Sequence, residues 1–111
     1  MYNNIKNVII ERFAVSDNQG VLKLYLNEHE KDSGMATAYA DNYTSTENVP
    51  SISLDLYFSN KNLHSIRLIK IDIEGGEYLA LIGMQKILKK DKPMILVEIN
   101  PDTPYGQKNI E

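Results

Sequence analysis

The sequence predicts an α/β fold, built on a parallel strand–helix–strand unit with a strand or hairpin region ahead of it. Three observations carry this. Ile66–Ile73 is an apolar strand that ends in a glycine pair. Glu77–Lys90 has helical periodicity, and Met94–Ile99 follows it as a second buried-type strand. Val8–Val15 and Val21–Leu26 are β-prone runs separated by turn residues.

Taken in order, Val8–Val15 (VIIERFAV) is mostly apolar and is stopped by Ser16-Asp17-Asn18-Gln19-Gly20. Val21–Leu26 (VLKLYL) alternates, so the two runs predict a hairpin. The stretch 27–50 is a long polar loop, of the kind that is usually mobile or functional, with a short strand at Met35–Ala40. Ser51–Leu54 reads as another short strand, and Asp55 as the opener of a brief helix over Leu56–Asn60.

In Ile66–Ile73, Ile69, Ile71 and Ile73 share one face; Ile66, Leu68, Lys70 and Asp72 share the other. A strand apolar on both faces for most of its length suits the interior of a parallel sheet. Glu74-Gly75-Gly76-Glu77 ends it. In the next helix, Ala80, Leu81, Met84, Ile87 and Leu88 form one stripe, with acids at its start and lysines at its end. Asp91-Lys92-Pro93 stops it. A strand–helix–strand unit of this kind is nearly always a right-handed parallel crossover.

Composition narrows the function. The chain has 111 residues, 42% hydrophobic and 24% charged, which is ordinary for a folded domain. Its formal charge of −3 argues against nucleic acid as a partner. The lysine cluster Lys86, Lys89, Lys90 and Lys92 reads as a solvated helix end. There is no cysteine, so disulfides, thiolate metal sites and cysteine nucleophiles are excluded. No apolar run approaches the roughly 20 residues that span a bilayer, so no membrane is expected. Met1–Lys6 is not a signal peptide, and a cytoplasmic setting is the expectation. Asn42-Tyr43-Thr44 is then a chance glycosylation triplet.

The residues that could carry chemistry gather at strand ends, where open parallel sheets bind ligands. Asp72 and Glu74 are two carboxylates on one face, next to Gly75-Gly76. They suit general acid–base work, and the amides after them could hold an anion. Equally, Glu74 or Glu77 could simply favour the helix N-terminus. Lys70 and Glu98 are charges inside apolar strands, best explained by an ion pair of Lys70 with Glu98 or Asp72. Ser16-Asp17 ends the first strand, and Glu98-Ile99-Asn100 ends the last. His29 and His64 read as exposed loop residues, and the seven tyrosines as core or rim.

The run Leu68-Ile69-Lys70-Ile71-Asp72-Ile73-Glu74-Gly75-Gly76-Glu77, followed by Leu81-Ile82-Gly83-Met84, resembles the FkbM family of S-adenosylmethionine-dependent methyltransferases. Ala14-Val15-Ser16-Asp17 with Gly20, Ser33-Gly34, Ser53-Leu54-Asp55 and Lys92–Glu98 fall in that family's order. The resemblance spans residues 7–100 and leaves 101–111 as a tail. It implies a partial class I methyltransferase (Rossmann-like) sheet. The implied reaction is methyl transfer to an oxygen nucleophile of a small-molecule or saccharide acceptor, such as a sugar hydroxyl. Ser16, Asp17 and Asp72 would serve the cofactor, S-adenosylmethionine. Asp72, Glu74 and Lys70 would be catalytic, Lys70 holding the carboxylate geometry. No metal is assigned, although oxygen donors at Asp72 and the Glu98–Asn100 end leave magnesium as a secondary reading.

The departures bear on activity. The family's cofactor site opens with a glycine-rich turn and a ribose-binding acid. None of the six glycines here forms a G-x-G turn. The expectation over residues 1–111 is one partial methyltransferase domain, its C-terminal portion, inactive alone. The alternatives are a non-catalytic module that pairs with another chain, and a small domain that binds an anion at Gly75-Gly76. An exposed sheet edge would also permit self-association.

Overall fold

The computed structural model describes residues 5–26, 36–37 and 43–99. The expectations for His29, Ser33-Gly34, Asn42, Asn100 and the 101–111 tail lie outside the described residues. In chain order the elements are β1 (Ala14–Val15), β2 (Gly20–Leu26), β3 (Ala36–Thr37), β4 (Ser45–Ile52), α1 (Leu54–Tyr57), β5 (Leu68–Ile71), α2 (Glu77–Ile82), α3 (Gln85–Asp91) and β6 (Met94–Val97). They make a four-stranded mixed sheet, ordered β1-β4-β2-β3, and a two-stranded sheet of β5 and β6.

The first sheet corrects the expected hairpin. β1 and β2 do not pair; β4 lies between them, parallel to β1 and antiparallel to β2. Only Ala14–Val15 of the run Val8–Val15 is strand, and Ile9 is 84% exposed. An apolar run becomes a strand only where another backbone satisfies its polar groups, and β4 reaches β1 only at Ser51 and Ile52. The ladder runs one residue further, since the Ser16 amide donates to the Ile52 carbonyl at 3.0 Å. The strand expected over Ser51–Leu54 begins earlier, at Ser45, and stops at Ile52.

The brief helix also begins earlier than expected. Ser53, not Asp55, caps α1, its hydroxyl accepting from the Leu56 amide at 3.3 Å. Asp55 is committed elsewhere, as described below.

β5 and β6 are adjacent parallel strands, with Lys70 opposite Leu96 and Ile71 opposite Val97. The single helix expected between them is instead two, broken at Gly83 and Met84. Both still present the predicted stripe. Ala80, Met84 and Ile87 are buried with Ile71, and Leu81 and Leu88 pack against them. Val15, Leu54 and Phe58 join the same core, so it ties β1 and α1 to the β5–β6 layer. α3 ends on Lys92, held in the left-handed region at φ 48°. Beside it, the Asp91 carboxylate accepts the Ile66 amide at 2.9 Å, which fixes the entry to β5.

Candidate functional site

The carboxyl end of β5 carries the sequence motif. Lys70 Nζ donates to Asp72 Oδ2 at 2.8 Å. This is one of the two pairings expected for Lys70, but it is not a buried pair between apolar strands. The side chains are 63% and 37% exposed. The hydrogen bond to Lys70, and then its charge, hold the Asp72 carboxyl below the ordinary aspartate range. Reciprocally, the bond to Asp72 raises the Lys70 ammonium. Glu98, one residue beyond β6, adds a smaller charge effect on Lys70.

The turn after Ile73 is tight. Glu74 adopts φ 52° and Gly75 φ 107°, both in the left-handed region. A side-chain-bearing residue such as Glu74 enters that region at a cost and stays there only when its surroundings hold it. Glu77 supplies the hold. Only 2% exposed, it accepts the Gly75 amide through both carboxylate oxygens, at 3.1 and 3.0 Å, and the Ile73 amide at 3.3 Å. The Gly75 amide therefore already serves the chain's own anion, which leaves little of that turn for an external one. Glu77 does more than sit at a helix N-terminus.

Ser16 and Asp17 close β1. Ser16 is buried and its hydroxyl donates to Asp17 Oδ1 at 3.1 Å, while Asp17 is exposed. Ser16 also receives Gly83. A Cβ on Gly83 would stand 2.1 Å from the Ser16 carbonyl oxygen and 3.0 Å from Ser53 Cβ. The Gly83 carbonyl in turn accepts the Asp55 amide at 2.9 Å. The Asp55 carboxylate then caps α3, accepting the Lys86 amide at 2.9 Å and the Ile87 amide at 3.0 Å. Three motif segments thus converge on one junction, through Ser16, through Ser53 and Asp55, and through Gly83. Sequence reading located these segments but gave Asp55 to the wrong helix and left Gly83 without a role. The signal was the glycine itself, at a costly position inside a helical pattern.

Asp17 accepts from the Ser16 hydroxyl at the end of β1, whereas Lys70 and Asp72 pair with each other at the end of β5. His64 is exposed ahead of β5. No group of three or more His, Asp or Glu side chains among the described residues is arranged to hold a metal ion. No helix among them is long and apolar enough to cross a membrane. A groove of about 340 Å³ opens elsewhere, between the N-terminal segment and α1. Ile9, Phe13, Val15, Ile52, Leu54 and Phe58 line it, and none of the motif carboxylates does.

The family comparison agrees with the motif. The model of the methyltransferase FkbM domain matches residues 2–110. No curated protein and no solved structure matches the chain. With the β5 motif, its Glu77-clamped turn and the Gly83 junction all inside the matched span, the chain belongs to the FkbM methyltransferase domain family.

Proposed function

We propose that this chain contributes the strand-end face of an S-adenosylmethionine-dependent O-methyltransferase site, with a sugar hydroxyl as a favoured acceptor. The observation that carries it is the Lys70–Asp72 pair at the end of β5, within the matched family domain. When bound, S-adenosylmethionine supplies the methyl group from its sulfonium. Asp72 would orient the acceptor hydroxyl. A carboxylate held below its ordinary pKa is a weak base but a good hydrogen-bond acceptor, so orientation suits it better than proton abstraction. Lys70 would fix its rotamer, and Glu74, two residues on, would be the second catalytic carboxylate. Asp17 would take a polar group of the cofactor.

The residues present fit the cofactor only in part. Asp17 and Asp72 offer exposed acceptors, but Ser16 is spent on Ile52, Asp17 and Gly83. The sequence has no G-x-G turn to bring backbone against the ligand. Each cofactor polar group left unpaired on burial costs about 1–3 kcal/mol, and each 1.4 kcal/mol is about tenfold in affinity. The chain by itself is therefore proposed to bind S-adenosylmethionine weakly and to be catalytically silent, the glycine-rich turn coming from another polypeptide segment. A cytoplasmic setting accords with the lack of cysteine.

Calorimetry and NMR with S-adenosylmethionine test this. The expected result is no micromolar site, with millimolar cofactor shifting the Asp17 and Asp72 resonances, and Asp72→Asn abolishing the shift at position 72. A one-site micromolar Kd would overturn the incompleteness. No perturbation of either residue at millimolar cofactor would overturn the site assignment.

A further inference from the structure

Methyl transfer to a hydroxyl needs a group that takes the hydroxyl proton, and Asp72, held low by Lys70, takes one reluctantly. A further carboxylate stands beside it. Parallel pairing sets Lys70 opposite Leu96 and Ile71 opposite Val97. The Glu98 amide donates to the Ile71 carbonyl at 3.1 Å, so the ladder runs one step past both strands and brings Glu98 level with Asp72. Alternation gives Lys70, Asp72, Leu96 and Glu98 one face. Ile71 and Val97 take the other, in the core. The side chains meet on the outer face. The Asp72 carboxyl is lowered first by Lys70, and a hydrogen bond with Glu98 lowers it further. Lys70 is raised first by Asp72, and the charge of Glu98 adds to that. Glu74, by contrast, leaves the ladder at φ 52°.

We propose that Glu98 is the proton acceptor of the methyl transfer, a further catalytic residue beside Asp72; this rests on the reading of the site given above. The three groups divide the work. Lys70 bonds Asp72 Oδ2 at 2.8 Å and keeps the charge on that carboxylate. Asp72 has a second oxygen with free lone pairs, which orients the acceptor hydroxyl. In the transfer the hydroxyl O–H bond breaks and its proton passes to Glu98, the bonding pair staying on oxygen. An oxygen pair forms the bond to the methyl carbon. The methyl–sulfur bond breaks with its pair left on sulfur, which turns from sulfonium to thioether. Glu98 becomes a neutral acid able to donate to the Asp72 carboxylate. Two adjacent carboxyls do not both hold charge cheaply, so one keeps it and its neighbour takes the proton. Lys70 decides which, because its hydrogen bond goes to Asp72.

Carboxyl-carbon NMR of the whole chain, with pH lowered stepwise, reads which group takes the proton. Among the described residues of the β5–β6 pair, the charged groups that share the face of Glu98 are Lys70 and Asp72. Glu98 is expected to take the proton first. The Asp72 resonance should show an early step as it does so, ahead of its own protonation. Glu98→Gln, which cannot take a proton, should erase that step, and Glu98→Asp should keep it. Glu98 is exposed, so both variants should retain the wild-type amide spectrum in the core. As a second reading, methyl β-glucopyranoside at millimolar concentration and neutral pH should shift the Glu98 and Asp72 carboxyl carbons together. Asp72 taking the proton before Glu98, an early step that survives Glu98→Gln, or a sugar effect that leaves Glu98 unmoved would each overturn the proposal. S-adenosylmethionine is absent from these measurements. If they fail while the cofactor still shifts Asp17 and Asp72, Glu98 loses its role and the methyltransferase reading stands.

Discussion

Gly83 lies directly against the backbone carbonyl of Ser16, so close that a Cβ on it would stand 2.1 Å from that oxygen. Gly83 is also where the connection between β5 and β6 breaks into two helices. The break lets the end of β1, the Ser53 cap and α3 share one point. The atom in the way is backbone, which cannot swing aside as a side-chain tip can. Gly83→Ala should therefore destabilise the chain by about 1–3 kcal/mol or more, as overpacking does. Urea denaturation would check it, and a midpoint equal to wild type would show that the junction has slack.

Asp55 is the cap of a helix 30 or so residues further along the chain, accepting the Lys86 and Ile87 amides. Asp55→Ala should cost about 1 kcal/mol, in the usual range for a lost N-cap. Asp55→Asn, which keeps an acceptor, should cost less. Faster hydrogen exchange at Lys86 and Ile87 in the alanine variant would tie the loss to α3 rather than to α1.

Glu77→Ala would strip the Gly75 amide of its acceptor inside a buried turn. The expected cost is about 1–3 kcal/mol, the penalty for a buried donor left unmatched. Glu77→Gln retains one acceptor oxygen and should recover much of it. Thermal unfolding of the three proteins orders them wild type, Gln, Ala; an alanine variant as stable as wild type would remove the clamp from the account of the turn.

The Lys70–Asp72 pair sets a pH signature. Asp72 is lowered by the Lys70 hydrogen bond, so its contribution is present above the ordinary aspartate pKa and is lost as pH falls through the lower folded value. Lys70 is raised by Asp72, so its contribution is full below the ordinary lysine pKa and is lost as pH rises through the higher folded value. Both groups are exposed, and solvent screens the pair, so the effect on stability is small. The carboxyl shift is the better readout. In an NMR titration Asp72 should titrate below ordinary aspartates, and Lys70→Met should return it toward them.

Local chemistry made much of this chain legible in advance. Isoleucines at alternate positions located β5, although only Leu68–Ile71 of the expected Ile66–Ile73 is strand; the 3.6-residue stripe located the buried side of α2 and α3, and Asp91-Lys92-Pro93 located the helix end. The motif at the end of β5 identified the family, because its residue types and spacing lie in one short segment. Tertiary structure alone decided the partners. Val8–Val15 is β-prone throughout, yet only its last two residues find β4 to bond with. The strand that follows it in sequence is not its neighbour, because β4, some 30 residues on, takes the place between them. Asp55 looked like the cap of its own helix, yet a carboxylate goes to whichever orphan amides packing brings nearest, and those belong to α3. Residue type and spacing determine what a segment can become; which groups it bonds to depends on distances through space that only the packed chain sets.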